Sequence, residues 1–352
     1  MPEIRKRRLG RTGFMVTEIG LGGIPLMRVE DFDEAARLIS YALDQGINYI
    51  DTARAYGDSE EKIGLVMKDR RDEVFLATKT NAYDYDTAWQ YLETSLKNLQ
   101  TDHLDLWQMH DISTEQRWEE IWSAQGAMKA AHEAREQGLV RYFGVSGHND
   151  ALLLRAVECG EFDVILGVYN LGIHSLGEQV IPAAQQHDIG VAVMKPLSGG
   201  LFFRRKETFI DPMKAWYFVL QNTGISVALV GFQNQRDIDQ AIQASATFTP
   251  LSEDEIEQLV AKARFLGDDV CRDCGYCKEE CPAGIDIPKI MHMFDEARVF
   301  SYEWPRFRRL YAELEIKGDA CQDCGKCEEK CPFDLKIRER LKWVHDRFNQ
   351  PI

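Results

Sequence analysis

The 352-residue sequence has no long hydrophobic run and no excess of positive charge. No apolar stretch approaches the roughly 18 residues that a membrane-spanning helix needs. The formal net charge is −15, whereas binding to a nucleic-acid backbone requires clustered positive charge. The basic N-terminus, residues 1–14, is not followed by the apolar segment of a signal peptide. We therefore predict a cytoplasmic protein that neither spans a membrane nor binds nucleic acid.

Cysteine is almost absent from the first 270 residues, where Cys159 stands alone. The other eight cysteines lie between residues 271 and 331. Cysteines of cytoplasmic proteins stay reduced, so regular spacing favours a metal or cluster site over disulfides. Cys159 is placed at a predicted helix end, and we expect it to be a buried apolar side chain.

Residues 19–245 alternate eight times between short apolar segments and segments of helical periodicity. Continuous apolar runs such as VFLATKT (74–80) are typical of parallel strands that are buried on both faces. Segments such as 33–46 carry apolar residues at i, i+3, i+4 and i+7. Eight βα units in about 230 residues indicate an α/β fold of the (β/α)8 TIM-barrel class. An open doubly wound sheet is the alternative, but it requires a G-x-G-x-x-G motif that GLGGIP (20–25) does not provide.

Polar residues follow several predicted strands, at the end where such barrels place their active sites. Asp51, Lys79 and His110 end three consecutive strands, and Tyr56 lies on the loop after the first of them. A Tyr hydroxyl has an ordinary pKa near ~10, and a neighbouring ammonium lowers that pKa. A carboxylate would fix the lysine, and a histidine would orient a substrate carbonyl. Each residue alone is more often structural, but the four together predict an acid/base centre for carbonyl reduction or alcohol oxidation.

The chain resembles the aldo-keto reductase superfamily from RRLGRTGFMVTEIGLGG (7–23) to about residue 245. Further matching segments are DTARAYGDSE (51–60), ATKT (77–80), QMH (108–110) and GVSGHN (144–149). The resemblance implies that Tyr56 is the general acid/base, that Asp51 and Lys79 adjust its pKa, and that His110 orients the substrate. It also implies NAD(H) or NADP(H) held across the barrel mouth, with direct hydride transfer to or from a carbonyl carbon.

The residues expected to bind this nucleotide depart from the family pattern. By the resemblance they are Gly22, Gly23, Ser146, Asn149, Met194, Lys195, Gln233 and Arg236. Gly147 stands where an asparagine commonly follows the serine, Leu166 replaces a glutamine, and Met194 replaces an aromatic residue. Where NADPH-using members carry a cation for the 2′-phosphate, the chain has Gln233 and Asp237, and Arg236 lies between them. Asp237 would repel that phosphate, so we predict a weaker NADPH preference than is usual in the family, with NADH as the other candidate.

The pattern C-x-D-C-G-x-C-x-E-x-C-P occurs twice, at residues 271–282 and 321–332. Three cysteines spaced C-x2-C-x2-C bind one [4Fe–4S] cluster, and the cysteine before proline binds the other cluster in two-cluster ferredoxins. Gly275 and Gly325 would let the backbone approach the sulfides. Zinc is the alternative, but zinc sites usually combine C-x2-C pairs across a longer loop. We predict two clusters, one at Cys271, Cys274, Cys277 and Cys331 and the other at Cys321, Cys324, Cys327 and Cys281.

The segment between the two copies has helical periodicity and resembles the helical ferredoxin domains of respiratory reductases. Its basic run, Arg306, Arg308 and Arg309, is most simply a solvated face, with docking of an acidic electron carrier as the alternative. We predict a barrel domain at 1–266 and a small, mostly helical ferredoxin-like domain with two clusters at 267–352.

Two functions of different kinds follow. The first is an enzyme that interconverts a small carbonyl substrate and its alcohol with NAD(P)(H), while the clusters relay electrons, with a redox protein as a candidate partner. The second is an electron-transfer or binding module of a larger redox complex, with a non-catalytic barrel. A purely structural role for the clusters is a third reading. Substrate choice depends on loops such as residues 201–212.

Overall fold

A computed structural model describes residues 3–198, 210–267, 270–271, 275–299, 304–331 and 334–349. Most of the predicted substrate loop 201–212, together with Cys274, lies outside these ranges. The described residues form two compact units, one ending at Leu259 and the other beginning at Val260. This division falls inside a helix, Glu253–Gly267, whose end coincides with the predicted domain boundary. The 266/267 boundary itself stays a prediction.

The first unit opens with a short antiparallel hairpin of strands β1 (Lys6–Arg8) and β2 (Met15–Thr17). It places Leu9 and Val16, both fully buried, in the core inside the barrel. The Arg7 guanidinium donates to the carbonyl oxygens of Asn222 and Ile225 at 2.9 and 2.7 Å. These buried polar contacts fix the hairpin to a segment more than 200 residues away in the chain.

Eight parallel strands close into a barrel, which confirms the predicted (β/α)8 class. The closed order runs from β3 through β9 to β10, and β10 pairs with β3. The strands are β3 (Ile19–Gly22), β4 (Tyr49–Asp51), β5 (Phe75–Thr80), β6 (Leu104–Met109), β7 (Val140–Ser146), β8 (Val164–Val168), β9 (Gly190–Met194) and β10 (Val227–Val230). Because all eight run the same way, their carboxyl ends meet at one mouth.

Helices follow the strands, and short polar side chains begin several of them. Asp31, Asp84 and Asn149 each accept a hydrogen bond from a backbone N–H in the first turn of the helix that follows. The helices of this unit are α1 (Phe32–Asp44), α2 (Ser59–Arg70), α3 (Tyr85–Asn98), α4 (Glu115–Trp122), α5 (Ala127–Glu136), α6 (Asp150–Glu158), α7 (Val180–Gln186), α8 (Pro212–Leu220), α9 (Gln235–Ala246) and α10 (Glu253–Gly267).

In the described part of the second unit, two short helices and three longer ones follow α10. They are α11 (Tyr276–Glu279), α12 (Ile287–Val299), α13 (Trp304–Ala312), α14 (Lys326–Glu329) and α15 (Ile337–Phe348). A mostly apolar core joins them and includes Phe294, Phe307 and Leu341, with Cys277 and Cys327 buried among these side chains. This agrees with the predicted, mostly helical cysteine-rich region.

Two further expectations from the sequence concern membrane-spanning helices and the burial of Cys159. None of the helices in the described ranges is long and apolar enough to cross a membrane. The expectation of a buried Cys159 is wrong, because that side chain is exposed. Cys159 is the residue after α6. Its backbone N–H donates to the Arg155 carbonyl oxygen, and its thiol donates to the Ala156 carbonyl oxygen at 3.1 Å.

Candidate functional site

A buried ion pair lies at the carboxyl ends of neighbouring strands β4 and β5. Asp51 and Lys79 are 3% and 1% exposed, and the Lys79 ammonium donates to the Asp51 carboxylate and to the Thr52 carbonyl oxygen, the latter at 2.8 Å. Burial alone would lower the pKa of Lys79, but the Asp51 carboxylate raises that pKa above its ordinary value. Lys79 is therefore a fixed positive charge in the barrel mouth.

Tyr56 and His110 lie beside this pair. The Lys79 amino group is 5.0 Å from the centre of the Tyr56 ring, and the Tyr56 and His110 rings meet edge-on with centroids 5.6 Å apart. The structure thus brings together all four residues that the sequence predicted as an acid/base centre. Their catalytic roles stay a prediction.

The pKa expected for Tyr56 is wrong in its net direction. Lys79 does favour the phenolate, but burial has the larger effect and raises the pKa of Tyr56 above its ordinary value. Burial and the Lys79 charge act together on His110 and lower its pKa to about 3. The site therefore holds a protonated phenol beside a neutral imidazole at neutral pH, and both can donate a hydrogen bond to a carbonyl oxygen.

Gln108 is a residue of this site that the sequence did not single out. It is fully buried on β6, and its side-chain amide donates to the second carboxylate oxygen of Asp51 at 2.7 Å. A Cβ at Gly144 on the neighbouring strand would lie 2.7 Å from the Gln108 side chain, so the glycine makes room for it. The QMH segment did contain a signal for Gln108. It lies two residues before His110, and residues two apart on a strand face the same side.

A second polar group follows His110 directly. Asp111, which has a left-handed backbone (φ 56°), is bonded to Ser113 and Arg117 and lies 3.2 Å from His148 Nδ1. Burial by itself would raise the pKa of Asp111, but hydrogen bonds and the nearby charges of His148 and Arg117 lower it below its ordinary value. The sequence missed this group because His148 is remote in the chain and its contact follows from strand order.

Several residues predicted to bind the nucleotide already have contacts within the protein. Ser146 Oγ accepts the Asp111 N–H at 2.9 Å, while Asn149 caps helix α6. Lys195 has a left-handed backbone (φ 57°), and its Nζ atom lies 3.3 Å from His148 Nε2. Met194 packs against the barrel core and is only partly buried. Nucleotide contact by any of them stays a prediction.

The remaining nucleotide residues lie at the first and last barrel strands. Gly22 ends β3, and the N–H of Gly23 bonds to the Asp51 carbonyl oxygen at 2.7 Å. Gln233 and Arg236 are exposed before and in the first turn of α9. The Asp237 carboxylate accepts the Gln233 N–H at 2.9 Å. The predicted repulsion of a 2′-phosphate by Asp237 stays a prediction.

Cysteines from both copies of the repeat line one cavity in the second unit. Its volume is about 300 Å3, counting the space open to solvent, and its lining includes Cys281, Cys321, Cys324 and Cys327. These four are the predicted ligands of one cluster, and Cys281 comes from the first copy. Ile285, Ile287 and Leu341 form an apolar wall of the same cavity. Thiol donors around a cavity with an apolar wall fit an iron–sulfur cluster.

The other predicted ligand set is described in part. Cys277 is buried, Cys271 and Cys331 are partly buried, and Cys274 lies outside the described residues. The Cys271 N–H donates to the Asp295 carboxylate at 2.7 Å. Within the described ranges, no three His, Cys, Asp or Glu side chains converge on a single-ion site. The fit of a cluster therefore rests on the thiol donors and the cavity.

Local geometry repeats between the two copies. Gly275 and Gly325 have φ of 82° and 77° and precede the short helices α11 and α14. A Cβ at either would meet no protein atom within 4 Å, so the left-handed backbone is what favours glycine here. Burial raises the pKa of the Cys327 thiol to about 11, so a metal would have to displace its proton on binding.

Two protein-family models match the chain, one in the barrel unit and one in the cysteine-rich unit. Residues 18–215 match the aldo/keto reductase family, and residues 270–338 match a 4Fe-4S dicluster domain. The family match covers more than half of the chain.

Individual relatives are similar over the barrel. The chain is 27% identical over 274 residues to YqkF, an uncharacterized oxidoreductase of Bacillus subtilis, covering 74% of this chain and 84% of the relative. It is 30% identical over 222 residues to an L-galactose dehydrogenase of Arabidopsis thaliana, covering 57% and 68%. In fold it is similar to an aldo-keto reductase from Bacillus halodurans in its holo form, with a TM-score of 0.64 at 24% identity, covering 74% and 96%. The chain belongs to the aldo/keto reductase family and carries a C-terminal 4Fe-4S dicluster domain.

Proposed function

We propose that the protein is an oxidoreductase that interconverts a small carbonyl compound and its alcohol by hydride transfer with NAD(H) or NADP(H). The observation that carries the proposal is the assembly of Asp51, Tyr56, Lys79 and His110 at one end of the barrel. Similarity to a relative named as a sugar dehydrogenase supports a carbonyl or polyol-type substrate.

Each of the four residues has a definite task in carbonyl reduction. A nucleotide bound at the barrel mouth would supply the hydride for the carbonyl carbon. Tyr56 gives its proton to the carbonyl oxygen, and the Lys79 ammonium stabilises the phenolate that remains. Asp51 holds Lys79 in place through their buried ion pair. His110 is neutral, so it can donate a hydrogen bond that orients the carbonyl without adding a second positive charge.

Tyr56→Phe tests this assignment because it removes the proton donor and keeps the ring. We expect kcat/KM for reduction of an electron-poor aldehyde, 4-nitrobenzaldehyde, to fall by at least ~100-fold, the usual range of general acid catalysis. Tyr217→Phe is the control, since the Tyr217 hydroxyl makes exposed hydrogen bonds to the carbonyl and hydroxyl oxygens of Thr247, away from the four residues. Unchanged turnover by Tyr56→Phe would reject a catalytic barrel and favour the electron-transfer module.

The nucleotide preference is the finer part of the proposal. Asp237 next to Arg236 leaves a 2′-phosphate without an unopposed cation partner, so we expect NADH to bind at least as tightly as NADPH. Dissociation constants of the two nucleotides on the purified protein measure this, and a clear NADPH preference contradicts it.

The two clusters are proposed as an electron relay that communicates with the nucleotide or with a redox protein. Each cluster would take one electron, whereas the nucleotide would give up a hydride, which is a proton with two electrons. Coupling therefore needs an outside two-electron carrier of the flavin type that accepts the hydride, releases the proton to solvent and passes the electrons on one at a time. Anaerobic addition of NADH with substrate and such a flavin carrier should bleach the visible cluster absorbance if the relay is coupled to the barrel. Absence of bleaching would leave the clusters structural or supplied by a partner. A cytoplasmic location stays a prediction.

A further inference from the structure

The two copies of the cysteine repeat differ at several positions, including Gln322 and Arg338, which line the cysteine cavity. Gln322 corresponds to Arg272 in the first copy. With the fifty-residue offset, Arg338 in the second copy corresponds to Pro288 in the first. Proline carries no charge and no side-chain hydrogen-bond donor, whereas arginine carries both. Whatever Arg338 does for its own cluster, the first copy does not repeat it with the equivalent side chain.

Arg338 connects three pieces of chain around the second copy. Its guanidinium donates to Asp323, in the loop between two cysteines, at 2.9 Å, and to Glu328, beside Cys327, at 2.7 Å. Its backbone N–H also donates to Glu328, at 2.9 Å, in the first turn of α15. The first copy has Lys278 in place of Glu328, and Lys278 pairs with Asp286 instead.

Arg338 also lines the cavity that Cys281, Cys321, Cys324 and Cys327 surround. The Arg338 Nε and Nη2 atoms both donate to one oxygen of Glu328, Oε2, at 3.0 and 2.7 Å. The hydrogen bonds to Glu328 and Asp323 keep the pKa of Arg338 above its ordinary value. A permanent positive charge therefore stands at the wall of this cavity, on a side chain that also holds the ligand loop.

We propose that Arg338 is a positioning residue for one cluster of the pair, the one predicted at Cys281, Cys321, Cys324 and Cys327, and that it raises the reduction potential of that cluster. The inference rests on the proposed function, in which the dicluster domain holds two clusters. Reduction adds one electron from a one-electron reductant, such as a reduced viologen, and no bond to Arg338 forms or breaks. The added negative charge is stabilised by the guanidinium, and outer interactions of this kind adjust cluster potentials.

The size of the effect follows from Coulomb's law. A unit charge about 10 Å from the cluster, at an effective dielectric constant of about 20, changes the reduction equilibrium on the order of tenfold. For one electron, a tenfold change corresponds to about 59 mV. Arg338 is 38% exposed, so solvent screening makes this an upper range.

The experiment is an anaerobic redox titration of the full-length protein with viologen mediators, followed by electron paramagnetic resonance. In Arg338→Gln we expect one of two one-electron transitions to move down by up to about 59 mV, while the other stays in place. Arg338→Lys keeps the positive charge but loses the pair of guanidinium hydrogen bonds to Glu328. It should therefore keep most of the potential, but release iron from that cluster to a chelator faster than wild type.

Glu328→Gln provides a test of opposite sign. It leaves Arg338 less neutralised, so the same transition should move up. Lys342→Gln is the matched charge control, because Lys342 is exposed on α15 one turn beyond Arg338, and neither transition should move.

Iron and sulfide content distinguish failure of the proposed function from failure of the role proposed for Arg338. Fewer than two clusters in wild-type protein overturns the proposed function and this inference with it. Two clusters whose potentials are unmoved by Arg338→Gln, or moved equally, overturn only the role of Arg338. If Arg338→Gln loses one cluster and keeps the other, the positioning role is supported and Glu328→Gln decides the effect of charge.

Discussion

The barrel and the cysteine-rich unit hold their chemical groups in opposite ways. In the barrel, Asp51 and Lys79 are buried and bonded to each other, and Gln108 and the Thr52 backbone complete the contacts. In the second unit, the cysteines surround a cavity, and two of the helices that carry them, α11 and α14, are four residues long. Helices of one turn are not stable alone.

The two units differ in the interactions that hold their chemical groups in place. The barrel arranges its polar groups with its own hydrogen bonds, so its site is formed before any ligand binds. The cysteine unit is small, and metal binding in such units contributes directly to folding. Three predictions test this contrast, beginning with the largest effect.

Removal of iron should unfold the second unit and leave the barrel folded. The reason is that the thiols around the cavity lose the group that links the two copies. Hydrogen exchange of the intact protein, before and after anaerobic treatment with an iron chelator, measures this. Exchange should become fast in α12 and α15 and stay slow in β5 and β6. Slow exchange in α12 and α15 after complete iron removal would mean that the unit is stable without its clusters.

Gln108→Met should weaken catalysis and change its pH dependence. The amide donates a hydrogen bond that lowers the pKa of Asp51, so loss of the amide should raise that pKa. The Asp51 carboxylate would then be protonated at a higher pH, and the acid limb of carbonyl reduction should move to higher pH. We expect kcat/KM to drop about 10- to 100-fold, the range found for residues that orient catalytic groups.

Two glycine variants serve as controls for Gln108. Gly144→Ala crowds the Gln108 side chain and should reproduce part of the pH shift. Gly20→Ala crowds Leu229 and Val227 in the same barrel core without touching Gln108. Equal pH profiles for Gly20→Ala and Gly144→Ala would show that barrel packing, rather than Asp51, is responsible.

The third prediction is an acid dependence of barrel stability caused by His110. Its folded-state pKa of about 3 lies below the ordinary value of 6.5, so the unfolded chain binds a proton that the folded chain does not. Stability should therefore decrease as pH falls from about 6.5 towards 3, by up to about 1.4 kcal/mol per pH unit. His110→Gln should reduce this slope in urea titrations, while replacement of the exposed His187 should not. An unchanged slope in His110→Gln would contradict the burial argument.

Much of this molecule could be predicted from its sequence, for identifiable reasons. The barrel follows from repeated alternation of apolar and amphipathic segments, and strand ends such as Lys79 follow from the barrel. The grouping of Cys281 with Cys321, Cys324 and Cys327 follows from a spacing that geometry restricts strongly.

What could not be predicted depends on contacts between distant strands or on competing energies. The spacing of Gln108 from His110 shows that the two residues share a face of the strand, but not that Gln108 reaches Asp51 two strands away. Arg338 differs from Pro288 without breaking any pattern. The pKa of Tyr56 could not be derived because the cost of burial, which a sequence does not report, exceeds the effect of Lys79.

The N-terminal hairpin has a consequence for how the chain is made. Arg7 donates to backbone carbonyls that lie 215 and 218 residues later in the sequence. At about 5–20 residues per second, a ribosome needs on the order of 10–40 s to supply those partners. Until then, Leu9 and Val16 have no closed barrel to enter and remain available to chaperones. The hairpin is synthesised before these partners and is therefore among the last parts of the barrel to dock.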